Sequence, residues 1–248
     1  MPRSDLSEHG ASNTPRAADA TDATGWCLVV PVKRLGLAKT RLAGPDMPPA
    51  LRERLALAFA ADAVSAALSA SRIAHAVVVT DDPRAAEVLG ALGATIVPDK
   101  PDAGLNAAFL FGATAARREF GTEMGIAACT ADLPALRAAE LDIALAHISS
   151  AAHNSGPTRH FIADAHDIGT TMLFAPPTAD LNPSFGGPSR AAHTASGAIE
   201  LPPLPPTGIS SLRRDVDTAS DLADALRLGV GPHTTEIWSA RDRVASGV

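Results

Sequence analysis

Three short stretches of the chain concentrate side chains able to handle phosphates and divalent metals. The first is Pro31-Val32-Lys33-Arg34-Leu35-Gly36-Leu37-Ala38-Lys39-Thr40-Arg41-Leu42, in which Lys33, Arg34, Lys39 and Arg41 place four cations in nine residues. Such cations, with loop N–H groups, can surround a triphosphate and neutralise the charge that grows on a departing pyrophosphate. The stretch lacks the G-x-x-x-x-G-K-[ST] pattern of a P-loop, and by spacing alone it is equally a solvated basic loop. The second is Asp132, in Thr130-Ala131-Asp132-Leu133-Pro134. A carboxylate where a buried strand ends can hold Mg2+, a hard cation that shares its oxygen ligands with phosphates and water. The plain alternative is an N-cap for the next helix. The third is Arg213-Arg214-Asp215-Val216-Asp217-Thr218. Read as a strand, it points Asp215 and Asp217 the same way. Paired like charges need a cation beside them, either a metal or the neighbouring arginines. Asp217 could instead cap the last helix, with Asp221 in its first turn.

Two further loops, Asp167-Ile168-Gly169-Thr170-Thr171-Met172-Leu173 and Ser184-Phe185-Gly186-Gly187-Pro188-Ser189, carry hydroxyls and glycines, with His193 four residues beyond. Their hydroxyls and backbone N–H groups suit a carboxylate, although glycine-serine loops are commonly plain turns.

The elements that must position these groups follow from the pattern of apolar residues. Trp26 to Val32 is continuously apolar, as a parallel strand covered on both faces must be. Pro48-Pro49 opens an alanine-rich helix to about Ala70, proline being tolerated in a first helical turn. His75 to Thr80 is a strand, Asp81-Asp82-Pro83 caps a helix ending near Gly93, and Ala94 to Val97 is a short strand. The loop Asp99 to Asn106 leads into a helix reaching Phe120. Met124 to Thr130 is the next strand, followed after Leu136 by a helix to about Ile148. This alternation predicts an α/β fold: a doubly wound, mostly parallel sheet in three α/β/α layers, Rossmann-like, in one domain over residues 25–230. Such sheets bind ligands beyond the carboxyl ends of their strands. The second half reads as a polar loop over 149–160, strands at Phe161–Ala165 and Thr171–Phe174, and a short helix over Ala191–Ser196. A proline-rich surface segment over Leu201–Thr207, a strand over Ser211–Val216 and a helix over Thr218–Leu228 follow. Residues 1–24 read as a disordered leader and 231–248 as a flexible tail.

Composition narrows the function. The 248 residues carry a net charge of −6, which argues against general nucleic-acid binding. Aromatic residues are 4 % of the chain and tyrosine is absent, so stacking on bases is not a major theme. No apolar run is long enough to span a membrane, and the start lacks a signal peptide's apolar core. A cytoplasmic protein is expected. Cys27 and Cys129 lie in apolar strands without C-x-x-C spacing, which predicts reduced, buried thiols.

Taken in order, these segments resemble the 2-phospho-L-lactate guanylyltransferases, including their actinobacterial phosphoenolpyruvate-using branch, which serve biosynthesis of coenzyme F-420. The resemblance covers about residues 26–229. It rests on Val30-Pro31-Val32-Lys33 with Ala38-Lys39-Thr40-Arg41-Leu42, on Gly104-Leu105-Asn106, and on Ala131-Asp132-Leu133-Pro134-Ala135-Leu136. It rests also on Asp167 to Leu173, Phe185 to His193, and Asp215-Val216-Asp217-Thr218 with Asp221-Leu222. The loop before Leu105 is short, and the Phe185-Gly186-Gly187-Pro188-Ser189 run has glycine where the resemblance would lead one to expect proline.

The resemblance implies transfer of GMP from GTP to the phosphate of phosphoenolpyruvate or 2-phospho-L-lactate, releasing pyrophosphate, with the product passed to a downstream transferase. It implies that Asp132, Asp215 and Asp217 hold Mg2+. Lys33, Lys39 and Arg41 would handle the GTP phosphates, Lys33, Lys39, Gly104 and Asn106 would bind the nucleotide, and Thr170, Thr171, Ser184, Gly186 and Ser189 would hold the acceptor. The competing readings are a related transferase using CTP or GTP with a sugar phosphate or molybdopterin, a non-catalytic GTP-binding regulator, and a structural domain whose acids only cap helices.

Overall fold

The computed structural model describes residues 25–37, 39–44, 47–100, 102–205 and 208–245. The leader 1–24, Ala38 of the cationic stretch and the end of the tail, 246–248, lie outside the described residues. Strand β1 (Trp26–Pro31) is buried along its whole length. It pairs in parallel with β2 (Ile73–Val79) on one side and β4 (Gly125–Cys129) on the other, and β3 (Thr95–Val97) continues the parallel array beyond β2. The helices α1 (Pro49–Leu68), α2 (Pro83–Ala91) and α3 (Leu105–Phe120) form the crossovers between these strands. α4 (Ala138–Ser155) follows β4. Past β4 come β6 (Thr170–Ala175), β5 (His160–Ala163) and β7 (Ile199–Glu200), giving the order β3-β2-β1-β4-β6-β5-β7. The sheet is mostly parallel, as the alternation predicts; β6 is antiparallel to both neighbours.

Side-chain alternation along the strands splits the core in two. Leu28, Val30, Val78 and Ala127 face one way, into a cluster with Ala60 and Val64 of α1 and Leu141 and Leu145 of α4. Val29, Val77 and Ile126 face the other way, against Phe109 and Ala113 of α3. Burying a side chain such as Phe109 stabilises by about 1.5–3 kcal/mol. Close packing of α3 requires Gly112, because a Cβ there would lie 2.5 Å from Val29 Cγ1 and 2.7 Å from Val79 Cγ2. Cys27 and Cys129 are free and buried, as expected, and burial pushes the Cys27 thiol up to about 12.

Three segments differ from the sequence reading. Residues 149–155 continue α4 rather than forming a polar loop. Ser211–Val216 is not a strand: a 3-10 turn over Ser210–Leu212 leads into irregular backbone. Buried Glu140 accepts from the Ser211 N–H at 2.8 Å and hydroxyl at 2.9 Å, which holds that turn on α4. Residues 231–245, read as loose tail, begin with Gly231 and form α7 (Pro232–Ala245). The first turn of α7 is capped from outside by the buried Asp62 of α1, which accepts from His233 N and Thr234 N, both at 2.9 Å. Ile237 and Trp238 pack beside Leu55 and Phe59 of α1. Two short helices complete the chain, α5 (Ser189–Ala195) and α6 (Ala219–Leu228).

Candidate active site

The carboxyl ends of β1, β2, β3 and β4 lie along one edge of the sheet, and the amino end of the antiparallel β6 joins them. Cys129 pairs with Met172, and Thr130 N–H donates to Thr171 O at 3.0 Å. Topology alone therefore brings the cationic stretch, Asp132 and Thr170 to one edge.

Asp132 does not cap α4, whose N-cap is Arg137. Its carboxylate instead meets the Lys39 ammonium, which also donates to Asp217 Oδ1 at 3.0 Å. Arg41 approaches Asp217 Oδ2 at 3.6 Å. The Val216 N–H donates to Asp132 O at 3.0 Å, which ties the Asp215–Asp217 segment to the end of β4. Asp217 is free of the capping role weighed for it, because Thr218 caps α6 and Asp221 closes the capping box. His166 Nε2 lies 2.8 Å from Asp221 Oδ1, which steadies that corner.

The electrostatics are those of crowded acids held by one lysine. Burial, followed by the charges of Asp132, Asp217 and Asp164, raises the Asp215 carboxyl to about 7, with Lys39 opposing. Burial alone would lower the Lys39 pKa, yet the attraction of Asp132 and Asp217 outweighs it and raises the pKa above the usual lysine value. Lys39 adopts a left-handed backbone, φ 54° and ψ 39°. A non-glycine residue there is strained, and such strain collects at functional sites.

Lys33 lies elsewhere. With Arg34, Asp81, Asp99, Asp102 and Gly104 it lines a cavity of about 330 Å3 at the ends of β1 to β3 and the start of α3, a size suited to a small-molecule ligand. The loop bearing the cations is anchored by Asp82, which accepts from Leu35 N at 2.9 Å while capping α2 through Arg84 N and Ala85 N. Gly104, with φ 91°, is the N-cap of α3 and borders open space. Asn106 turns away from that cavity. Its amide donates to Phe185 O at 3.0 Å and accepts from Phe185 N at 2.8 Å, so both of its polar ends hold the Ser184–Ser189 loop. A larger cavity, about 760 Å3, lies between α3 and residues 179–183 and shares none of the acids above.

The two acceptor-side threonines differ. The Thr171 hydroxyl donates to Leu212 O at 2.6 Å, a structural tie. The Thr170 hydroxyl contacts His193 Nδ1 at 2.9 Å, and His193 Nε2 accepts from Ser184 N at 2.9 Å. Gly186 and Gly187, with φ 100° and 52°, bend the loop toward Ser189, the first residue of α5. Asp164 was not singled out from the sequence. Its carboxylate accepts from the N–H groups of His166, Ile168 and Gly169 and shapes the turn before Thr170. The local spacing Asp-x-x-Asp-x-Gly is the signal that could have found it.

Among the described residues, no set of three or more acidic, histidine or cysteine side chains is gathered so as to hold a metal ion by itself. The Lys39 ammonium stands between Asp132 and Asp217. The acids nonetheless suit Mg2+: they are hard oxygen donors in excess of the cations, and Asp132 Oδ1 is buried with no hydrogen-bond partner. Mg2+ takes only one or two carboxylates where phosphates and water complete its shell.

Comparison with known proteins places the chain among named relatives. The chain is 54 % identical over 211 residues to the phosphoenolpyruvate guanylyltransferase of Salinispora arenicola, covering 84 % of this chain and 91 % of that one. It is 50 % identical over 212 residues to the protein of the same name from Streptomyces coelicolor, covering 86 % and 95 %. In fold it is similar to a nucleotidyl transferase from Methanothermobacter, with a TM-score of 0.52 at 23 % identity, covering 82 % of this chain and 98 % of that one. No protein-family model matches the chain.

Proposed function

Since this chain belongs to the phosphoenolpyruvate guanylyltransferase family, we propose that it joins the GMP moiety of GTP to the phosphate of phosphoenolpyruvate, releasing pyrophosphate. The observation that carries this reading is the meeting of Asp132 and Asp217 on Lys39 of the cationic stretch, with Asp215 near enough to feel all three charges, at the sheet edge that also carries Thr170. 2-Phospho-L-lactate has the same phosphate beside a carboxylate and is the alternative acceptor; the relatives' names favour phosphoenolpyruvate. The product would pass to a downstream transferase on the route to coenzyme F-420. No helix among the described residues is long and apolar enough to cross a membrane, which suits soluble small-molecule substrates and a cytoplasmic setting.

In the reaction, an acceptor phosphate oxygen attacks the α-phosphorus of GTP. One P–O bond forms, the bond to the bridging oxygen breaks, and pyrophosphate leaves with that electron pair. The nucleophile is already anionic near neutral pH, so no side chain has to take a proton. The protein's part is positioning and charge neutralisation. Lys33 and Arg34 flank the nucleotide cavity, and Lys39 and Arg41 face the reacting phosphates. Thr170 and the Ser184–Ser189 loop, with Ser184, Gly186 and Ser189, hold the acceptor. Asp132, Asp215 and Asp217 would hold Mg2+, which when bound offsets phosphate charge. The test is pyrophosphate release with GTP, Mg2+ and either acceptor. Turnover with phosphoenolpyruvate is expected. Release with CTP and a sugar phosphate, or with no acceptor of either kind, would refute the reading.

A further inference from the structure

The His193 ring is fully buried, with Phe185 edge-on at 5.1 Å and Phe161 tilted at 5.7 Å. Its two nitrogens have unlike partners. Nε2 receives the Ser184 backbone N–H, a group that can only donate, so Nε2 must be the bare, accepting nitrogen. In a neutral ring the proton then sits on Nδ1. Burial, with the nearby Arg159 charge, lowers the ring's pKa to about 4 against an opposing hydrogen bond to the Ser189 backbone carbonyl, and keeps the ring neutral; that carbonyl can only accept, so it too requires a proton on the ring nitrogen facing it. Nδ1–H therefore donates to Thr170 Oγ1. A hydroxyl that accepts here keeps its own proton to give elsewhere, and among the described residues that proton has no protein acceptor. Thr170 opens β6 at the same sheet edge as Asp132 and retains 7 % exposure. Thr171 cannot serve in its place, because its proton is committed to Leu212 O.

We propose that His193 is a positioning residue that fixes the polarity of the Thr170 hydroxyl, so that Thr170 donates its proton to an anionic oxygen of the acceptor substrate. The same ring holds the Ser184 backbone and thus sets where the Ser184–Ser189 loop begins. The proposal rests on the functional reading above and names a specificity contact within it.

The test combines steady-state kinetics on H193Q, T170V and the double variant with 15N NMR of the wild-type histidines. Glutamine can offer an oxygen near the Nε2 position for Ser184 N–H, but no donor at the Nδ1 position. H193Q and T170V are each expected to raise the acceptor KM roughly 10- to 100-fold, the loss of a hydrogen bond to a charged group, with the GTP KM little changed. The double variant should be no worse than T170V alone, since both changes remove one interaction. Effects that multiply, an equal rise in the GTP KM, or an unchanged acceptor KM would overturn the proposal. The NMR measurement stands even if a variant fails to fold: His193 should be the neutral Nδ1–H tautomer at pH 7, and an Nε2–H tautomer would overturn the inference. A wild-type enzyme inactive with both acceptors would refute the functional reading and the Thr170 contact with it, while the tautomer is decided separately.

Discussion

Replacing Lys39 with methionine is the sharpest perturbation of this site. Methionine keeps most of the stem and removes the ammonium that donates to both Asp132 and Asp217. What remains is the acids with Arg41, largely exposed, at 3.6 Å from Asp217. Removing one partner of a fully buried ion pair costs about 3–5 kcal/mol. Asp217 is 47 % exposed, so solvent screening lowers that cost, and about 1–3 kcal/mol is expected. For a chain of this size that corresponds to a fall in Tm of roughly 3–10 °C. Magnesium should restore more stability to K39M than to the wild type, because the cation would neutralise acids that Lys39 otherwise holds. The assay is thermal unfolding of both proteins with and without millimolar Mg2+, alongside turnover. Transfer should fall at least 100-fold, the scale for loss of one charge-stabilising donor. A K39M protein as stable as wild type and indifferent to Mg2+ would refute the account of this cluster.

Asp132→Asn should cost at least 100-fold in kcat while leaving the circular dichroism spectrum unchanged; near-normal turnover of the folded variant would remove Asp132 from the metal set. Asp82→Ala deprives Leu35 N, Arg84 N and Ala85 N of their acceptor and should destabilise by about 1–3 kcal/mol at pH 7. Burial tends to raise the Asp82 pKa, but these backbone donors outweigh it and lower the pKa in the folded state. The stability it confers is therefore present above the unfolded-state pKa and lost as pH falls through the folded value, so urea melts of wild type and variant should converge in acid. Gly112→Ala sets a methyl against Val29 and Val79 and should cost about 1–3 kcal/mol; an unchanged urea midpoint would mean that α3 does not pack as closely as described.

The parallel half of the fold was legible because continuous apolar strands and capped helices are local signals. Trp26–Pro31, the Asp82 cap and the turn from Gly104 into α3 can all be read from a few neighbouring residues. The cationic stretch and Asp132 were legible as candidates for the same reason. The Asp215–Asp217 pair was singled out on a strand that the structure does not have. Alternation suggested a strand, whereas the chain is irregular there and is tied by Val216 N–H to Asp132 O. The side chain of Asn106 illustrates the limit most clearly. The family resemblance implies a place for it at the nucleotide, yet its amide binds the backbone of Phe185, 79 residues away. The cap of α7 is still more remote, since Asp62 and Thr234 are 172 residues apart. No window of sequence reports a hydrogen bond whose partner is supplied by another layer of the fold.

The reversal of β6 explains why Thr170 shares an edge with Asp132 and the cationic stretch. In a wholly parallel sheet the strand next to β4 would bring its carboxyl end to the active edge, and Thr170 would lie at the opposite end. Because β6 runs antiparallel, its first residue arrives beside the end of β4 instead. The order β2-β1-β4-β6 then lays the cationic stretch on one side of Asp132 and Thr170 on the other. An in-line displacement needs this separation, since nucleophile and leaving group must stand on opposite sides of the α-phosphorus. Asp132, just past the end of β4, lies between those two sides, and Lys39 is the side chain of the cationic stretch that meets it and Asp217. Lys39 cannot bridge Asp132 and Asp217 and also extend along a triphosphate. If Lys39 handles the GTP phosphates as proposed, substrate binding would exchange Asp132 and Asp217 for phosphate oxygens.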